Sequence, residues 1–577
     1  MTGFLRSFAA SFLALVVLLL VIVGAAAMKF DKKSKIEDHS WLHIDIYGDV
    51  LEYDPPGDVL SQVTGGDALT LQKILENLDK AVVDERIDGV LLQLSSSNNL
   101  GPAKMQEIRG GIERVQAAGK PVYGYADAMN TRTYYLAAVC DSLYCPGSAY
   151  VNFQGIGGES VHVKKAMEKL GIKPELHAIR HYKAAAQMMT RTDLSPEAKQ
   201  NRSLLLGDIW EIVGKALQED RGLDEARVVE LMEHALFTPA EAVDMGLFDR
   251  ILYWDELEDM LKLEEEDRLR VVSHQRYAQE SPADLDLKGD KKIAVVHAQG
   301  NIGGRRNAVN PLLGIMMGHE TIVNELLRAE QDEDVAAIVL RVDSGGGDAL
   351  TSDLIGHAVQ QVSRNKPVIV SMVDVAASGG YSVSYRATKI MAGPATVTGS
   401  IGSISGKFDL SELNEKIGVT HDAVTKGPNA LLGTANRPYT AEEWEMFSAN
   451  HWRDFRNWMD DVAQHRGIAA ADIDSLCMGR IWSGRRALAV KLVDALGGQH
   501  EAVALAKSEA GLAVDEPVTL WHLPKAQDFL TAVMGGEETA AAAVRWGLYR
   551  EIQQETATTW SYLISERMAV VDPLVWR

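Results

Sequence analysis

Short apolar runs rich in β-branched residues alternate along most of the chain with longer segments whose apolar positions recur every three or four residues. Such runs predict buried strands, and the longer segments predict helices that cover them. The clearest predicted strands are VLLQL (90–94), VYGYA (122–126), AIVLRV (337–342) and VIVSMV (368–373). The predicted helices that follow them lie at 104–118, 133–139, 350–363 and 379–387. This alternation indicates an α/β fold with a mostly parallel sheet, whose chemistry is expected at the carboxyl ends of the strands.

The same succession of elements occurs twice. Four pairs of segments resemble one another in the same order: 42–50 with 294–302, 84–94 with 332–342, 120–122 with 366–368, and 236–251 with 481–496. Their offsets lie between 245 and 252 residues. A nearly constant offset indicates a duplicated domain of about 220 residues, far longer than the period of a solenoid.

These matches divide the chain into five predicted parts. They are a membrane anchor at 1–35, a first repeat at 40–253, an acidic linker at 254–290, a second repeat at 291–510 and a C-terminal extension at 511–577. The linker is predicted from its acidic, turn-rich composition, which includes EEEDR at 264–268. About 50 residues at the end of the chain have no counterpart after the first repeat.

An uncharged apolar segment occupies residues 7–28. At about 1.5 Å per helical residue it spans the roughly 30 Å hydrocarbon layer, so it predicts one transmembrane helix. A cleaved signal peptide is the alternative, because Ala25-Ala26-Ala27 forms a small-residue processing site. The four lysines within residues 29–35 would leave the main body in the cytoplasm under the positive-inside rule.

Composition excludes some classes of function. The net charge of −22 repels phosphate backbones, and no basic stripe carries interleaved aromatic residues, so we expect no nucleic-acid partner. The three cysteines, Cys140, Cys145 and Cys477, are too few for a disulfide framework or a zinc site. The histidines also lack metal-ligand spacing, so we expect neither a metal nor a cofactor.

Two glycine-rich loops in the second half carry the chemical signal. Asp343-Ser344-Gly345-Gly346-Gly347-Asp348 follows one predicted strand, and Ala376-Ala377-Ser378-Gly379-Gly380-Tyr381 follows the next. Ser378 would be exposed at a helix N-terminus as a nucleophile, with the Gly346 and Gly379 amides facing a developing oxyanion. The simpler alternatives are a tight turn and a serine N-cap. The first half has SSSNN (95–99) in place of the first loop, and Arg132 or Thr133 opposite Ser378, so only one half carries the serine.

A serine nucleophile needs a base, and no His/Asp arrangement stands out near these loops. Lys183, in HYKAAA (181–186) of the first half, lies beside small residues. Burial of such a lysine lowers its pKa and makes the free amine available. The alternative is an ordinary solvated surface lysine.

Taken together, the motifs resemble signal peptide peptidase A, also called protease IV, in its long double-domain bacterial form. The residues that carry the resemblance are the glycine loop 343–347, AASGGY (376–381), TGSIG (398–402) and HYKAA (181–185), in the family's order and spacing. The resemblance covers most of the chain and implies two repeats of the Clp protease/crotonase fold. Gly345 stands where the family usually has proline, which predicts a more flexible loop beside Gly346.

The resemblance also implies the roles of single residues. Ser378 becomes the nucleophile and Lys183 its general base, Ser400 orients the lysine, and Gly346 and Gly379 form the oxyanion hole. Lys426 is a rival base, because shorter family members take their lysine from the same domain as the serine. The repeat register, however, puts Pro428 or Asn429 opposite Lys183.

The family further implies that the substrates are hydrophobic signal-peptide remnants and other unfolded peptides. It also implies a homotetramer at the bacterial inner membrane with the catalytic domains in the periplasm, which opposes the lysine count after the span. One rival function is a crotonase-like acyl-CoA enzyme, which needs carboxylate acid/base residues near the glycine loop. Asp348 is the only nearby candidate. The other rival is a catalytically inactive membrane scaffold.

Overall fold

A computed structural model describes residues 35–54, 69–310 and 313–525 of the chain. The predicted apolar span 7–28 lies outside these ranges, as do residues 526–577 of the predicted C-terminal extension. None of the helices within the described ranges combines the length and the apolar character that crossing a bilayer requires.

The first half contains ten strands and ten α-helices among the described residues. The strands are β1 (Ser40–Ile46), β2 (Ile87–Leu94), β3 (Val122–Ala126), β4 (Ala128–Met129), β5 (Ser142–Cys145), β6 (Tyr150–Asn152), β7 (Lys173–Ala178), β8 (Leu236–Phe237), β9 (Arg250–Ile251) and β10 (Val271–Ser273). The helices are α1 (Leu71–Val83), α2 (Pro102–Ala117), α3 (Thr131–Ala137), α4 (Lys164–Leu170), α5 (Gln187–Thr190), α6 (Pro196–Arg221), α7 (Glu225–His234), α8 (Pro239–Asp244), α9 (Trp254–Leu261) and α10 (His274–Tyr277). A 3₁₀ helix follows at Pro282–Leu285.

The second half contains the remaining described elements. Its strands are β11 (Lys291–Gln299), β12 (Asn301–Ile302), β13 (Ala308–Asn310), β14 (Gly314–Met317), β15 (Val335–Ser344), β16 (Val368–Ala377), β17 (Lys389–Ala392), β18 (Val397–Gly399), β19 (Ile404–Asp409), β20 (Ile481–Ser483), β21 (Ala495–Leu496) and β22 (Val518–Leu523). Its helices are α11 (His319–Gln331), α12 (Ala349–Val362), α13 (Gly379–Ser382), α14 (Ser411–Lys416), α15 (Ala441–Arg466), α16 (Ala470–Leu476), α17 (Gly484–Ala489) and α18 (Gln499–Glu509).

Each half is built on a largely parallel sheet, which confirms the predicted α/β fold. The order in the first half is β10-β1-β2-β3-β5-β9, with every pair parallel. In the second half β22-β11-β15-β16-β17-β21 repeats this order, again with every pair parallel. The antiparallel pair β18–β20 extends the second sheet beyond β16. The central strands of both sheets, such as β2 and β15, are almost fully buried, as their continuous apolar runs require.

Strand register reproduces the repeat found in the sequence. Val90 of β2 pairs with Val122 of β3, and Ile338 of β15 pairs with Val368 of β16. Val90 and Ile338 are 248 residues apart, and Val122 and Val368 are 246 residues apart, which are the offsets found in the sequence matches. The matched segments therefore occupy equivalent places in the two sheets.

Residues predicted to be a linker belong to the first-half sheet in the structure. Strand β10 lies within 254–290 and pairs with β1, and the side chain of Val272 is buried there. Its counterpart β22, which pairs with β11, lies in the segment predicted as a C-terminal extension. Two short edge strands in polar surroundings carry too weak an apolar pattern to be recognised from sequence.

The two halves are joined by strand pairing and by a common apolar core, as well as by the segment that connects them. Strand β7 of the first half pairs antiparallel with β19 of the second, from Lys173 opposite Asp409 to Ala178 opposite Ile404. The first-half core also includes Val373 and Ala377 of the second half. Because β7 leads directly to Lys183, this pairing carries a first-half side chain toward the second-half sheet.

Candidate active site

Ser378 lies at a sharp turn between strand β16 and helix α13. Its backbone has φ 55° and ψ −116°, which a residue with a Cβ rarely adopts. The Ser378 N–H donates to the carbonyl of Gly399 at 2.8 Å and thereby ties the turn to β18. Strain of this kind persists only where the surrounding structure imposes it, and it is typical of functional sites.

The glycine loop after β15 packs directly against this turn. A Cβ added to Gly346, whose φ is +107°, would lie 2.6 Å from the Gly379 nitrogen and 2.8 Å from the Ser378 Cβ. Only glycine permits such a close approach of two backbones. The Gly346 N–H donates to the Ser344 hydroxyl at 3.2 Å, and that hydroxyl donates to the Gly300 carbonyl at 2.6 Å.

Lys183 reaches this turn from the first half. Strand β7 ends at Ala178, and the chain turns through Arg180, whose φ is 80°. The Lys183 Nζ then lies 2.9 Å from the Ser378 Oγ, 3.0 Å from the Ser400 Oγ and 3.0 Å from the Ser400 carbonyl oxygen. The structure therefore brings together the three side chains that the sequence singled out from two distant segments.

Burial controls the protonation of this amine. Lys183 is 4% exposed, and desolvation lowers the pKa of its side chain to about 7. A charged amine loses its hydration when it is buried, which favours the neutral form. At neutral pH a substantial fraction of Lys183 therefore carries a free lone pair.

Two further glycines, which the sequence patterns did not identify, make room for the lysine. A Cβ on Gly479, whose φ is +77°, would lie 2.6 Å from the Lys183 backbone nitrogen. A Cβ on Gly402 would lie 3.2 Å from the Lys183 Cδ. Gly402 belongs to TGSIG, but Gly479 lies in an ordinary turn sequence that carries no recognisable signal.

The rival base lies elsewhere. Lys426 is exposed, in a stretch from 420 to 430 that is exposed throughout. Lys183, by contrast, is buried against Ser378.

The part of the first half that corresponds to the Ser378 turn holds an arginine and backbone carbonyl groups. Arg132, one of the two residues predicted opposite Ser378, is buried, and its guanidinium donates to the carbonyls of Ser96 and Asn98. The loop that replaces the glycine loop thus turns carbonyl oxygens toward this place. Carbonyl oxygens do not stabilise a negative oxygen, so this loop is unlike an oxyanion hole.

No cluster of three His, Cys, Asp or Glu side chains suited to a metal ion occurs in the part of the chain that the structure describes. A cavity of about 40 Å³ lies beside the lysine, with Ala184, Ala185 and Ala198 in its wall.

Comparison with known proteins identifies the family of the chain. Peptidase family S49 matches residues 114–268 and 360–513, together more than half of the chain. Serine protease SPPA, chloroplastic, from Arabidopsis thaliana is 31% identical over 497 residues, which cover 85% of this chain and 73% of that protein. Protease 4 from Haemophilus influenzae is 29% identical over 464 residues, which cover 77% of this chain and 74% of that protein.

Among solved structures, a 1510-N membrane-bound stomatin-specific protease has a TM-score of 0.27 at 15% identity, covering 41% of this chain and 100% of its own. The sequence matches span both halves of the chain. The chain belongs to peptidase family S49 and is a serine protease.

Proposed function

We propose that this protein is a membrane-anchored endopeptidase with a Ser/Lys dyad, in which Ser378 is the nucleophile and Lys183 the general base. The observation that carries the proposal is the 2.9 Å approach of the Lys183 Nζ to the Ser378 Oγ. This distance is within hydrogen-bond reach, as a base and the proton that it abstracts require.

The surroundings of the amine fit the role of a base. A neutral amine keeps two N–H donors and one lone pair. The hydroxyl and the carbonyl of Ser400 accept the two donors, so the lone pair faces the Ser378 hydroxyl. Ser400 thus orients Lys183.

The reaction follows from these positions. The Ser378 Oγ attacks a peptide carbonyl while Lys183 takes its proton, and Lys183 then protonates the leaving amine. The acyl-enzyme that remains is hydrolysed by a water from which the same amine removes a proton. The amides of Gly346 and Gly379 face the oxyanion of both tetrahedral intermediates. The 3.2 Å bond from the Gly346 amide to Ser344 is long, so an oxyanion competes with it readily.

The substrates that we propose are hydrophobic signal-peptide fragments and other unfolded peptides. The apolar span 7–28 would hold the enzyme at the bacterial inner membrane, with both repeats in the periplasm. The small cavity beside Lys183 favours a small side chain next to the cleaved bond.

We further propose assembly into a homotetramer, with the contact between copies made by two segments that form no strand in the described residues. In the chain, β7 of the first half pairs with β19 of the second. The repeat offset makes residues 420–425 the counterpart of β7 and residues 158–163 the counterpart of β19, and neither segment forms a strand within the described chain. Pairing of these segments between copies would repeat the internal contact and close a ring.

Substitution of the dyad tests the proposal. Ser378→Ala and Lys183→Met should each lower kcat/KM on an unfolded peptide at least a thousandfold, without lowering the melting temperature. A fluorophosphonate should label the native enzyme at Ser378 and leave Ser378→Ala unlabelled. Ser508→Ala, an exposed serine on α18, is the matched control and should behave as the native enzyme. Full hydrolysis by either dyad variant would refute the assignment.

A further inference from the structure

A second lysine of the first half contacts the strands that carry the active site. The Lys104 Nζ lies 2.9 Å from the Asp343 carboxylate and 3.8 Å from the Asp374 carboxylate. Lys104 is 8% exposed, and its pKa is raised because the two carboxylates outweigh the cost of burial. Asp343 is the first residue of the glycine loop, and Asp374 lies four residues before Ser378.

Asp343 lies where the two strands fall out of register. Val342 pairs with Met372, but the next pair is Ser344 with Ala376, so β16 carries extra residues at this point. The Asp343 carboxylate accepts the Val375 N–H at 3.2 Å, a bond that the interrupted ladder no longer supplies. A bulge of this kind redirects the strand that follows it, and here that strand leads to Ser378.

Asp374 is held from the opposite side. Its carboxylate accepts the backbone N–H groups of Gly101, Ala103 and Lys104, at the N-terminus of helix α2. The first half thus provides a helix terminus for one aspartate and an ammonium shared by both. At the offsets of the paired strands, 248 residues for β15 and 246 for β16, Ser95 and Ala128 take the places of Asp343 and Asp374.

We propose that Lys104 is a positioning residue for the oxyanion hole: it holds Asp343 at the bulge, and Asp343 holds the glycine loop against Ser378. The inference rests on the proposed function of Ser378. Two buried carboxylates of like charge repel one another unless a cation lies between them. Without Lys104, Asp343 turns away, the Val375 N–H loses its partner, and the Gly346 amide shifts from the oxyanion position.

The test is the kinetics of Lys104→Met in the full-length enzyme. We expect kcat to fall about 30-fold with KM within threefold, because the oxyanion hole acts on the transition state and not on bound substrate. Lys215→Met removes an exposed lysine from α6 and is the matched control, with native kcat. Native kcat in Lys104→Met would overturn the inference.

A charge-balanced double variant separates positioning from simple structural support. Lys104→Met with Asp343→Asn restores the net charge of the cluster, and the Asn oxygen still accepts from Val375. This variant should recover at least fivefold in kcat over Lys104→Met alone. Recovery of melting temperature without recovery of kcat would refute positioning.

Two single variants at Asp343 test the inference if Lys104→Met does not fold. Asp343→Ala removes the acceptor and should lower kcat at least tenfold, whereas Asp343→Asn keeps it and should lose less than threefold. Equal losses would overturn the inference. Ser378→Ala, measured in parallel, distinguishes the two proposals: if it keeps activity, the proposed function fails, and if it is inactive beside a fully active Lys104→Met, only the positioning role fails.

Discussion

At the scale of single residues, the surroundings of Lys183 lower the pKa of an amine that is a cation in water, as its proposed role as a base requires. Desolvation is the cause, and it lowers the pKa of the side chain to about 7. At pH 7 the neutral fraction is on the order of a thousandfold larger than in a solvated lysine. The Lys183 Nζ also donates to the hydroxyl and the carbonyl of Ser400, which in the proposed mechanism fixes the direction of the lone pair.

The activity should follow this titration. With Lys183 as the base, kcat/KM is expected to rise tenfold per pH unit below about 7 and to level off above it, since only the neutral amine accepts the proton. Peptide hydrolysis measured from pH 5 to 9 checks the profile. A rise that continues toward pH 10 would contradict the assignment, because it would indicate a solvated lysine.

Stability should show the same titration with a definite sign. The folded-state pKa of Lys183 lies below its unfolded value, so the unfolded chain binds more protons and native stability falls as the pH decreases toward 7. Lys183→Met removes this cost. Lys183→Met should therefore have a higher free energy of unfolding than the native enzyme. This difference between the two proteins should be roughly 2–4 kcal/mol larger at pH 6 than at pH 10. Denaturant titrations at both pH values test this, and a gain independent of pH would contradict a buried ionisable lysine.

At the scale of elements, the pairing of β7 with β19 determines where Lys183 lies. Gly406 of β19 has φ +150°, and a Cβ at this position would lie 2.1 Å from the Glu175 carbonyl oxygen of β7. The two strands approach one another closely only because this side chain is absent. The geometry of the dyad therefore depends on a residue that contacts neither of its members.

Gly406→Val should separate these strands. We expect kcat/KM to fall at least a hundredfold as Lys183 moves away from Ser378, while fluorophosphonate labelling slows to a similar degree. Gly214→Ala on α6 is the control, because its added methyl group has nothing within 4 Å. Native activity in Gly406→Val would show that the pairing does not position the lysine.

Elements with a strong apolar period could be predicted closely. The expected helices 104–118 and 350–363 correspond to α2 and α12 with ends shifted by one or two residues. The helix expected at 379–387 is shorter, since α13 ends at Ser382. Strand β10 was missed because three residues are too few to show a period. Contacts such as Lys104 with Asp343 join residues 239 positions apart and leave no local pattern.

At the scale of the whole molecule, a buried charged cluster joins the halves. Arg341 of β15 is fully buried and donates to Glu52 at 2.8 Å and 3.0 Å, and to Glu107 at 3.0 Å and 3.2 Å. Both glutamates belong to the first half. Charges without water must be paired, so this contact ties one arrangement of the two halves together.

Arg341→Met should leave two buried carboxylates without their cation. We expect the free energy of unfolding to fall by about 3–5 kcal/mol. Arg453→Met, at an arginine whose side chain is 69% exposed, should change it by less than about 0.5 kcal/mol. Denaturant unfolding of the two variants and the native enzyme measures both changes in free energy. Equal stability would mean that the cluster does not hold the halves together.

Both members of the dyad come from one chain, which predicts the outcome of mixing inactive variants. Ser378→Ala and Lys183→Ala chains, co-expressed and purified together, should show no more activity than either alone, because no chain carries both side chains. Activity of about a quarter of the native level would indicate a site shared between neighbouring chains, as random pairing requires.

The order in which the two contributions appear along the chain has a consequence during protein synthesis. The portion that leaves the ribosome first contains Lys183, and Ser378 and Ser400 follow about two hundred residues later. If the proposed dyad is the catalytic centre, a nascent polypeptide has no competent hydrolytic centre until most of its length has been translated and both copies have folded. The order of translation would then delay the onset of proteolysis.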